Sequence, residues 1–338
     1  MMKKTAILIL AAAAALCGCA RTATVSKNDA EKRHIEAYIR SFHPNAKQTA
    51  LGSYILDSDA GTGALVGDEE NSPFVRVRYD VFDLEGNIQA TTEKTVAQRV
   101  GTFKESTFYG PVTWYRKDNS LYVGLNEIVS TMKEGGWVNA VIPGWLITYD
   151  KYPSAEEYEK NGSGTTARYE LTLLERISDI KTWEIDSIGR YIKRNFPKWG
   201  VTDSLELGLY YFTTKDPVQP KKYEADSLFY INYVGRLLDG TVFDTNIKDT
   251  AKLYGLYNSK GTYTPKKIKM AAELKDVKME DNSLINGFAR ALKEMQYFEA
   301  GTTIFTSTWG YGTSGSGSAI PAFSPLRFDI EIVNNSSK

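Results

Sequence analysis

The feature that most constrains the fold of this chain is an internal repeat. Three pairs of segments match in the same order: IEAYIRSF (35–42) with IGRYIKRNF (188–196), GSYILDSD (52–59) with GLYYFTTKD (208–216), and VRVRYDVFDLEGN (75–87) with FYINYVGRLLDGT (229–241). Each unit has the pattern of an amphipathic helix, a short strand, a variable loop and a strand that ends at a Glu-Gly or Asp-Gly turn. The repeat predicts two homologous domains joined near residues 178–184, which a chain of 338 residues can accommodate.

The second half of each unit also follows one order. A helix comes first, then a β-rich segment, and finally an alternating strand, ARYELTLLERI (167–177) in the first unit and LRFDIEIV (326–333) in the second. The helix of the second unit has an apolar face at helical spacing, formed by Leu284, Ile285, Phe288, Leu292 and Met295. Strands separated by turns, with one helix crossing a face, predict antiparallel sheets and an α+β fold. The predicted domains are 31–177 and 184–334.

The first 18 residues have the pattern of an export signal. Lys3 and Lys4 precede an apolar stretch that is too short to span a bilayer comfortably. The stretch ends in LCGC (16–19), which resembles the bacterial lipobox, in which the cysteine is lipidated and becomes the mature N-terminus. We therefore predict a lipoprotein signal peptide over 1–18, lipidation of Cys19 and a tether over 19–30. A plain secretory signal cut near Ala20 is the alternative.

The predicted anchor implies a location for the protein. A lipid on Cys19 would hold it in the cell envelope of a Gram-negative bacterium, attached to a membrane without spanning it. The mixed composition after Cys19, which lacks an acidic run, favours the outer membrane facing the periplasm. Both cysteines, Cys17 and Cys19, lie in the leader, so the mature chain would have no disulfide and no thiol nucleophile.

Charge and histidine content argue against several classes of function. The 41 basic residues balance 41 acidic ones, so no excess charge favours nucleic acid as a partner. His34 and His43 are the only histidines, and neither has an acidic or cysteine partner at metal-ligand spacing. The glycine-rich stretch GTGALVG (61–67) is followed by acidic residues rather than by a helix, which favours a solvated loop over a dinucleotide site. We predict no metal, no cofactor and no nucleic-acid partner.

Three segments of the second unit carry a resemblance to a known family. They are YVGRLLDGTVFDTN (233–246), SLINGF (283–288) and GYGTSGSGSAIPAFSPLRFDIEI (310–332). Together they resemble FKBP-type peptidyl-prolyl isomerases over about residues 224–334. The resemblance implies a twisted antiparallel sheet half-wrapped around a short helix, with an apolar, aromatic-lined pocket between them. The glycine-serine stretch before the last strand would then be a mobile flap over that pocket.

The resemblance also implies a role for individual residues. The pocket walls would be Tyr233, Phe243, Leu284, Ile285, Tyr311 and Phe328, with Phe288 as the floor and Ala319 and Ile320 at the lip. Asp244 would be a buried carboxylate near the rim, which orients Tyr311 or polarises the pocket. The hydroxyl of Tyr311 and the backbone N–H of Ile285 would bind substrate carbonyls. Asp244, Tyr311 and Phe288 would be the catalytic set, although most of these residues, taken singly, are equally typical of a core.

The second unit departs from the family pattern in three places. The family floor is usually tryptophan, where this chain has Phe288, and the apolar residue before Ile-Pro is only Ala319. A long insertion between Asn246 and Ser283 replaces the short segment that normally supplies another wall aromatic. Tyr254 or Tyr257 could replace that aromatic, and the sequence leaves the choice open.

An apolar pocket suits prolyl isomerisation because the reaction breaks no covalent bond. Rotation about a peptide bond costs about 18–20 kcal/mol in lost resonance, and the twisted amide is less polar than the planar one. A water-poor pocket therefore disfavours the planar ground state relative to the twisted state. We predict an isomerase (EC 5.2.1.8) that acts on proline-containing unfolded or exported polypeptides, with macrolide inhibitors of the FKBP class as further ligands. The alternatives are a non-catalytic FKBP-like chaperone or peptide-binding module, and a scaffold that dimerises through helices at 31–42 and 184–196.

The first unit is predicted to keep the scaffold and to lack the pocket. Tyr79 matches Tyr233 and Tyr169 matches Phe328, but the position of the Phe-Asp pair reads IQATT (88–92), with no carboxylate. The string VIPGW (141–145) looks like the start of an FKBP pocket helix, but in register it falls on the strand after the helix. The helix is instead predicted to start at YVGL (122–125). We predict that this domain is non-catalytic.

Overall fold

The computed structural model describes residues 27–199 and 204–335. The predicted signal peptide and Cys19 lie outside these residues. The first helix begins at Lys27, inside the segment predicted to be a tether. The side chain of Asn28, which is 6% exposed, donates hydrogen bonds to the backbone oxygens of Glu159 (2.6 Å) and Gly162 (2.8 Å). These bonds fix the start of the helix to the rest of the domain.

The first half of the chain forms one antiparallel sheet with helices against it. Its elements are α1 (Lys27–Phe42), β1 (Lys47–Gln48), β2 (Tyr54–Asp59), β3 (Phe74–Phe82), β4 (Ile88–Thr91), α2 (Lys94–Arg99), β5 (Val112–Tyr115), α3 (Val123–Thr131), β6 (Trp137–Ile142), a 3-10 turn (Gly144–Leu146), α4 (Ala155–Asn161) and β7 (Ala167–Ile177). The strand order is β1-β2-β6-β7-β3-β4, and β5 also pairs with β3. The chain is α+β, as predicted.

The second half repeats this arrangement and adds strands to it. Its elements are α5 (Ile180–Asn195), β8 (Ser204–Glu206), β9 (Leu209–Lys215), β10 (Gln219–Lys222), β11 (Leu228–Leu237), β12 (Val242–Thr245), α6 (Lys248–Leu253), β13 (Lys266–Lys269), a 3-10 turn (Leu274–Asp276), β14 (Lys278–Met279), β15 (Asn282–Ser283), α7 (Asn286–Glu294), β16 (Gln296–Tyr297), β17 (Ala300–Phe305), a 3-10 turn (Ser307–Trp309) and β18 (Leu326–Val333). The strand order is β15-β14-β13-β11-β18-β17-β9-β8, β12 also pairs with β11, and β10 pairs with β16 separately.

The pairing registers of the two sheets correspond residue by residue. Val81 lies opposite Tyr169 in the first sheet, and Gly235 lies opposite Phe328 in the second. The same two positions also pair with Ala90 and Asp244 respectively. The matches inferred from the repeat therefore occupy equivalent places in three neighbouring strands of each sheet.

Two further expectations for the first unit are confirmed by its elements. Tyr122 is the N-cap of α3, as the YVGL segment predicts. The VIPGW segment lies at the end of β6 and in the 3-10 turn that follows, not at the start of the helix. Ile142 and Trp145 from this segment are both buried, which explains why the string is apolar without forming a pocket helix.

Both amphipathic helices that could have dimerised pack on their own domains. In α1, Ile35 and Ile39 belong to the core of the first sheet. In α5, Ile188, Tyr191 and Ile192 are buried in a cluster with residues of β9 and β17. Because these apolar faces are covered within the chain, the dimerising scaffold is not supported.

Glu184 fastens α5 to the loop that leads into the predicted flap. Glu184 is 1% exposed, and its carboxylate accepts hydrogen bonds from the Ser307 backbone N–H (2.7 Å) and hydroxyl (2.6 Å). Burial raises the pKa of Glu184, and the Ser307 bonds oppose this rise only in part. Because the charged form costs more in the folded state, folding favours the protonated carboxyl.

We expect this burial to make stability depend on pH in a defined direction. The contribution of Glu184 is fully present below its unfolded pKa and is lost as the pH rises through the raised folded pKa. Glu184→Gln keeps an acceptor for Ser307 and removes the titration. Urea unfolding from pH 4 to pH 8 should show wild type losing stability relative to the variant as the pH rises. A constant difference across this range would contradict the assignment.

Within the two described ranges, no helix is long and apolar enough to cross a membrane.

Candidate functional site

Five aromatic rings converge between α7 and the sheet of the C-terminal half. Phe328 lies at their centre, with ring centroids 4.8 Å from Phe288, 5.5 Å from Phe243, 5.9 Å from Phe305 and 6.4 Å from Tyr233. The rings of Phe243 and Phe288 meet that of Phe328 edge to face, a favourable geometry for aromatic pairs. Four of these rings were predicted to line the pocket. Phe305 was not, although it is a large apolar residue on a β-rich segment.

Gly235 lets two of these rings approach the sheet. A Cβ atom at this position would lie 2.6 Å from the Phe243 ring and 2.8 Å from the Phe328 ring. Such distances are too short for real side chains, so the backbone of β11 at Gly235 forms part of the surface on which the two rings pack. Its equivalent in the first domain is Val81, whose side chain is buried.

Asp244 lies at the rim of the cluster and is exposed rather than buried, which corrects the expectation drawn from the family. Its strand, β12, pairs only with β11, so nothing in the sheet covers its outer side. Its Oδ2 accepts a hydrogen bond of 2.7 Å from the Tyr233 hydroxyl. The hydroxyl that Asp244 orients is therefore that of Tyr233, where Tyr311 had been predicted.

The two tyrosines differ in burial but both respond to Asp244. Tyr233 is 5% exposed, and burial together with the Asp244 charge raises its pKa far above the usual range. Tyr311 is 36% exposed, and its pKa is raised by burial first and by the Asp244 charge second. Both hydroxyls therefore keep their protons at neutral pH and can donate hydrogen bonds.

Asn246, which ends the FDTN segment, holds the wall strand in place. Its side chain is buried, accepts from the Tyr233 N–H (2.8 Å), and donates to the backbone oxygens of Ile231 (3.0 Å) and Thr264 (2.9 Å). It thereby ties β11 to the long insertion. Asn246 had no predicted role, although an amide between a strand and a turn is a frequent local cap.

The helix α7 provides the next part of the site. Ile285 is its N-cap, with φ −65° and ψ 146°, so its N–H lies outside the hydrogen-bond ladder of the helix. Leu284 and Ile285 are half-buried and pack against the same core cluster as Phe288. Gly287 allows this helix to lie against Phe305, whose ring would be 2.7 Å from a Cβ at position 287.

The glycine-serine segment forms a loop that is held by its own backbone hydrogen bonds. Ser316 and Ile320 exchange two backbone hydrogen bonds, of 2.7 and 3.1 Å, and the Phe323 N–H donates to Gly312 O (2.9 Å). Gly315 has φ +64°, and a Cβ there would lie 2.2 Å from Ile320 O, which explains why glycine is needed. Ile320 is buried and Ala319 is half-buried, and both pack against the core cluster beside the rings.

Neither tyrosine of the insertion supplies the missing wall aromatic. Tyr254 is 37% exposed and lies against Arg236, with the guanidinium 5.3 Å from its ring centroid. Tyr257 is 41% exposed and stacks on Tyr263. The insertion instead contributes β13, which pairs with β11 and widens the sheet.

The equivalent positions in the first domain carry different side chains from those of the site. The sheet registers place Ala90 at the position of Asp244 and Gln89 at that of Phe243. Tyr79 and Tyr169 remain, with ring centroids 6.4 Å apart. Among the described residues of the chain, no group of three or more histidine, cysteine or acidic side chains is arranged to hold a metal ion.

Residues 219–333 match the family model described as FKBP-type peptidyl-prolyl cis-trans isomerase. The C-terminal domain is therefore a domain of the FKBP type, as the three segments quoted above had indicated. The match covers the aromatic cluster, α7 and the flap loop, and the first domain lies outside it.

Relatives of known name point to the same family. The chain is 30% identical over 104 residues to the macrophage infectivity potentiator of Trypanosoma cruzi, covering 31% of this chain and 41% of the relative. It is 26% identical over 144 residues to the FKBP-type 22 kDa peptidyl-prolyl cis-trans isomerase of Escherichia coli strain K12, covering 43% and 57%. The chain thus spans about half the length of these curated relatives.

Among solved structures, the chain is similar to the three FKBP domains of wheat FKBP73. The identity is 17%, the match covers 83% of this chain and 94% of that one, and the TM-score is 0.30. A peptidyl-prolyl cis-trans isomerase from Pseudomonas syringae pv. tomato matches with 21% identity and a TM-score of 0.31, covering 45% and 93%.

Proposed function

We propose that the C-terminal domain catalyses cis–trans isomerisation of X–Pro bonds in polypeptides. The observation that carries this proposal is the aromatic cluster around Phe328, bordered by α7, by the flap loop and by the Tyr233–Asp244 hydrogen bond. The proline ring would pack on the cluster, with Phe288 beneath it. The named relatives support the proposal, since one of them is a peptidyl-prolyl cis-trans isomerase.

Prolyl isomerisation requires little of the protein beyond an apolar surface and a few hydrogen bonds. The apolar rings exclude water from the amide and so disfavour the polar planar state. The hydroxyl of Tyr311 and the N–H of Ile285 would hold the carbonyls that flank the proline, and fixing the chain in this way lowers the entropic part of the barrier. Asp244 would act through Tyr233, by fixing the hydroxyl of a wall residue at the rim.

The substrates and the location complete the proposal. The substrates would be exported or unfolded polypeptides that contain proline, and macrolides of the FKBP class would compete for the same rings. Lipidation at Cys19 would hold the domain at the outer membrane, facing the periplasm. The leader sequence supports this placement, and incorporation of labelled fatty acid in wild type and in Cys19→Ala tests it.

The catalytic proposal is tested with the full chain and a Leu-Pro peptide in a cis–trans exchange assay. Wild type should accelerate exchange. Tyr311→Phe removes one hydroxyl and Asp244→Asn removes one charge, and each should lower kcat/KM about tenfold, equivalent to about 1.4 kcal/mol. The matched controls Tyr257→Phe and Asp226→Asn lie away from the rings and should leave kcat/KM unchanged. A folded wild type that binds the peptide without accelerating exchange would show that the domain is a binding module instead.

A further inference from the structure

A loop of the N-terminal domain touches the flap of the C-terminal domain. The Phe108 N–H donates a hydrogen bond of 2.8 Å to Ser318 O, and the hydroxyls of Thr107 and Ser318 lie 3.3 Å apart. The half-buried ring of Phe108 packs against the C-terminal core cluster, which contains Phe288 and Phe328. The contact therefore joins the first domain to the loop that borders the proposed site.

Two other contacts hold the domains in this arrangement. Phe323, at the base of the flap, is 8% exposed, and its ring meets Phe74 of the first domain edge to face at 5.2 Å. Glu105, from the same loop as Phe108, lies against Gly255 in the turn after α6, since a Cβ on Gly255 would be 2.5 Å from its Cγ. The loop thus contacts both the flap and the turn that follows α6.

Phe108 lies beside a small residue of the flap. Ala319 follows directly after Ser318, whose carbonyl accepts the Phe108 N–H. The insertion supplies no ring to the cluster, because Tyr254 and Tyr257 point to other partners. Phe108 therefore adds apolar surface at a lip that the C-terminal domain builds from a small residue.

The loop borders the site without filling it. Tyr311 keeps 36% of its surface exposed, and Phe243, Leu284 and Ile285 remain only half-buried with Phe108 in place. A side chain that plugged the site would have buried these residues. Their remaining exposure indicates that Phe108 forms a wall of the site rather than a cover.

We infer that Phe108 is a specificity-determining residue of the C-terminal site, supplied by the N-terminal domain. It would contact the side chain that precedes proline, because burial of the proline ring on the cluster leaves that side chain at the lip. The first domain would then act by presenting Phe108, although its own equivalent positions hold Ala90 and Gln89. This inference rests on the function proposed above.

The test measures kcat/KM of the full chain for isomerisation of a Leu-Pro peptide and of a Gly-Pro peptide. Phe108→Ala should lower kcat/KM for the Leu-Pro peptide about tenfold and leave the Gly-Pro value nearly unchanged, because glycine offers no side chain to the lip. Phe108→Leu should retain most of the preference for leucine. Phe103→Ala is the matched control and should behave like wild type, since Phe103 packs against Tyr109 in the same loop, with ring centroids 5.5 Å apart.

Two outcomes would overturn the inference. An unchanged ratio of kcat/KM for the Leu-Pro and Gly-Pro peptides in folded Phe108→Ala would show that the ring does not contact the side chain before proline. A rise in kcat/KM for both peptides would show that the loop covers the site. If wild type is inactive on both peptides, the catalytic proposal fails by itself. Calorimetry then gives the Kd of wild type and of Phe108→Ala for each peptide. Loss of the preference for leucine in Phe108→Ala supports the role of Phe108 in specificity, and retention of the preference contradicts it.

Discussion

Asn246→Leu is expected to destabilise the C-terminal domain by about 3–5 kcal/mol. The substitution keeps a side chain of similar size but leaves the Tyr233 N–H and the carbonyls of Ile231 and Thr264 without their partner. Each buried polar group left unpaired costs about 1–3 kcal/mol, and the effects within one network overlap. Since these groups tie β11, the strand that carries Tyr233, to the insertion, this strand should become more mobile as the free energy of unfolding falls.

The loss is measured by urea unfolding of the full chain, with hydrogen exchange of the peptide covering 228–237 as the local probe. Exchange in this peptide should become faster in the variant under native conditions. Asn258→Leu is the control, because Asn258 is exposed and its side chain accepts only from the nearby Lys260 N–H; its effect should stay within about 0.5 kcal/mol. A loss below about 1 kcal/mol for Asn246→Leu would show that Asn246 is not essential to the wall.

Much of the fold could be predicted because each helix and strand pattern occurs twice in the sequence. The two copies indicate the same order of elements, and the registers through Val81 and Gly235 agree with the match of Tyr169 to Phe328. The long insertion could not be placed in this way, since it has no counterpart in the first unit. Its strand β13 is specified by pairing with β11, a long-range contact that local periodicity does not encode.

The site was predictable where a residue's neighbours are set by its own strand or helix. Phe288 and Phe328 come together because α7 packs against the sheet with Phe288 on the face that meets the Phe328 ring. The exposure of Asp244 was not predictable in this way, because it depends on which strands flank β12. The contact of Phe108 was beyond sequence reasoning altogether, since it depends on how two domains lie against each other.

Gly235→Ala is expected to remove most of the proposed activity while leaving the domain folded. The new methyl group would lie 2.6–2.8 Å from the rings of Phe243 and Phe328, so both rings must move from the positions that form the site. Overpacking of this kind costs about 1–3 kcal/mol of stability, and displacement of the central ring should lower kcat/KM for a Leu-Pro peptide by at least tenfold. Peptide exchange and thermal unfolding of the full chain measure the two effects.

The control for Gly235→Ala is a second strand glycine that faces an aromatic residue away from the site. A Cβ on Gly301 would lie 2.2 Å from the hydroxyl of Tyr211, so Gly301→Ala should destabilise the domain to a similar degree. Its kcat/KM should stay near wild type, because Tyr211 lies on β9, two strands away from Phe328. If both variants lose activity equally, stability rather than the position of the rings would explain the loss.

If Gly235→Ala remains fully active, the rings of Phe243 and Phe328 do not form the site. A selective loss in Gly235→Ala would instead support the prediction that the first domain, with Val81 at this position, keeps the sheet without the pocket.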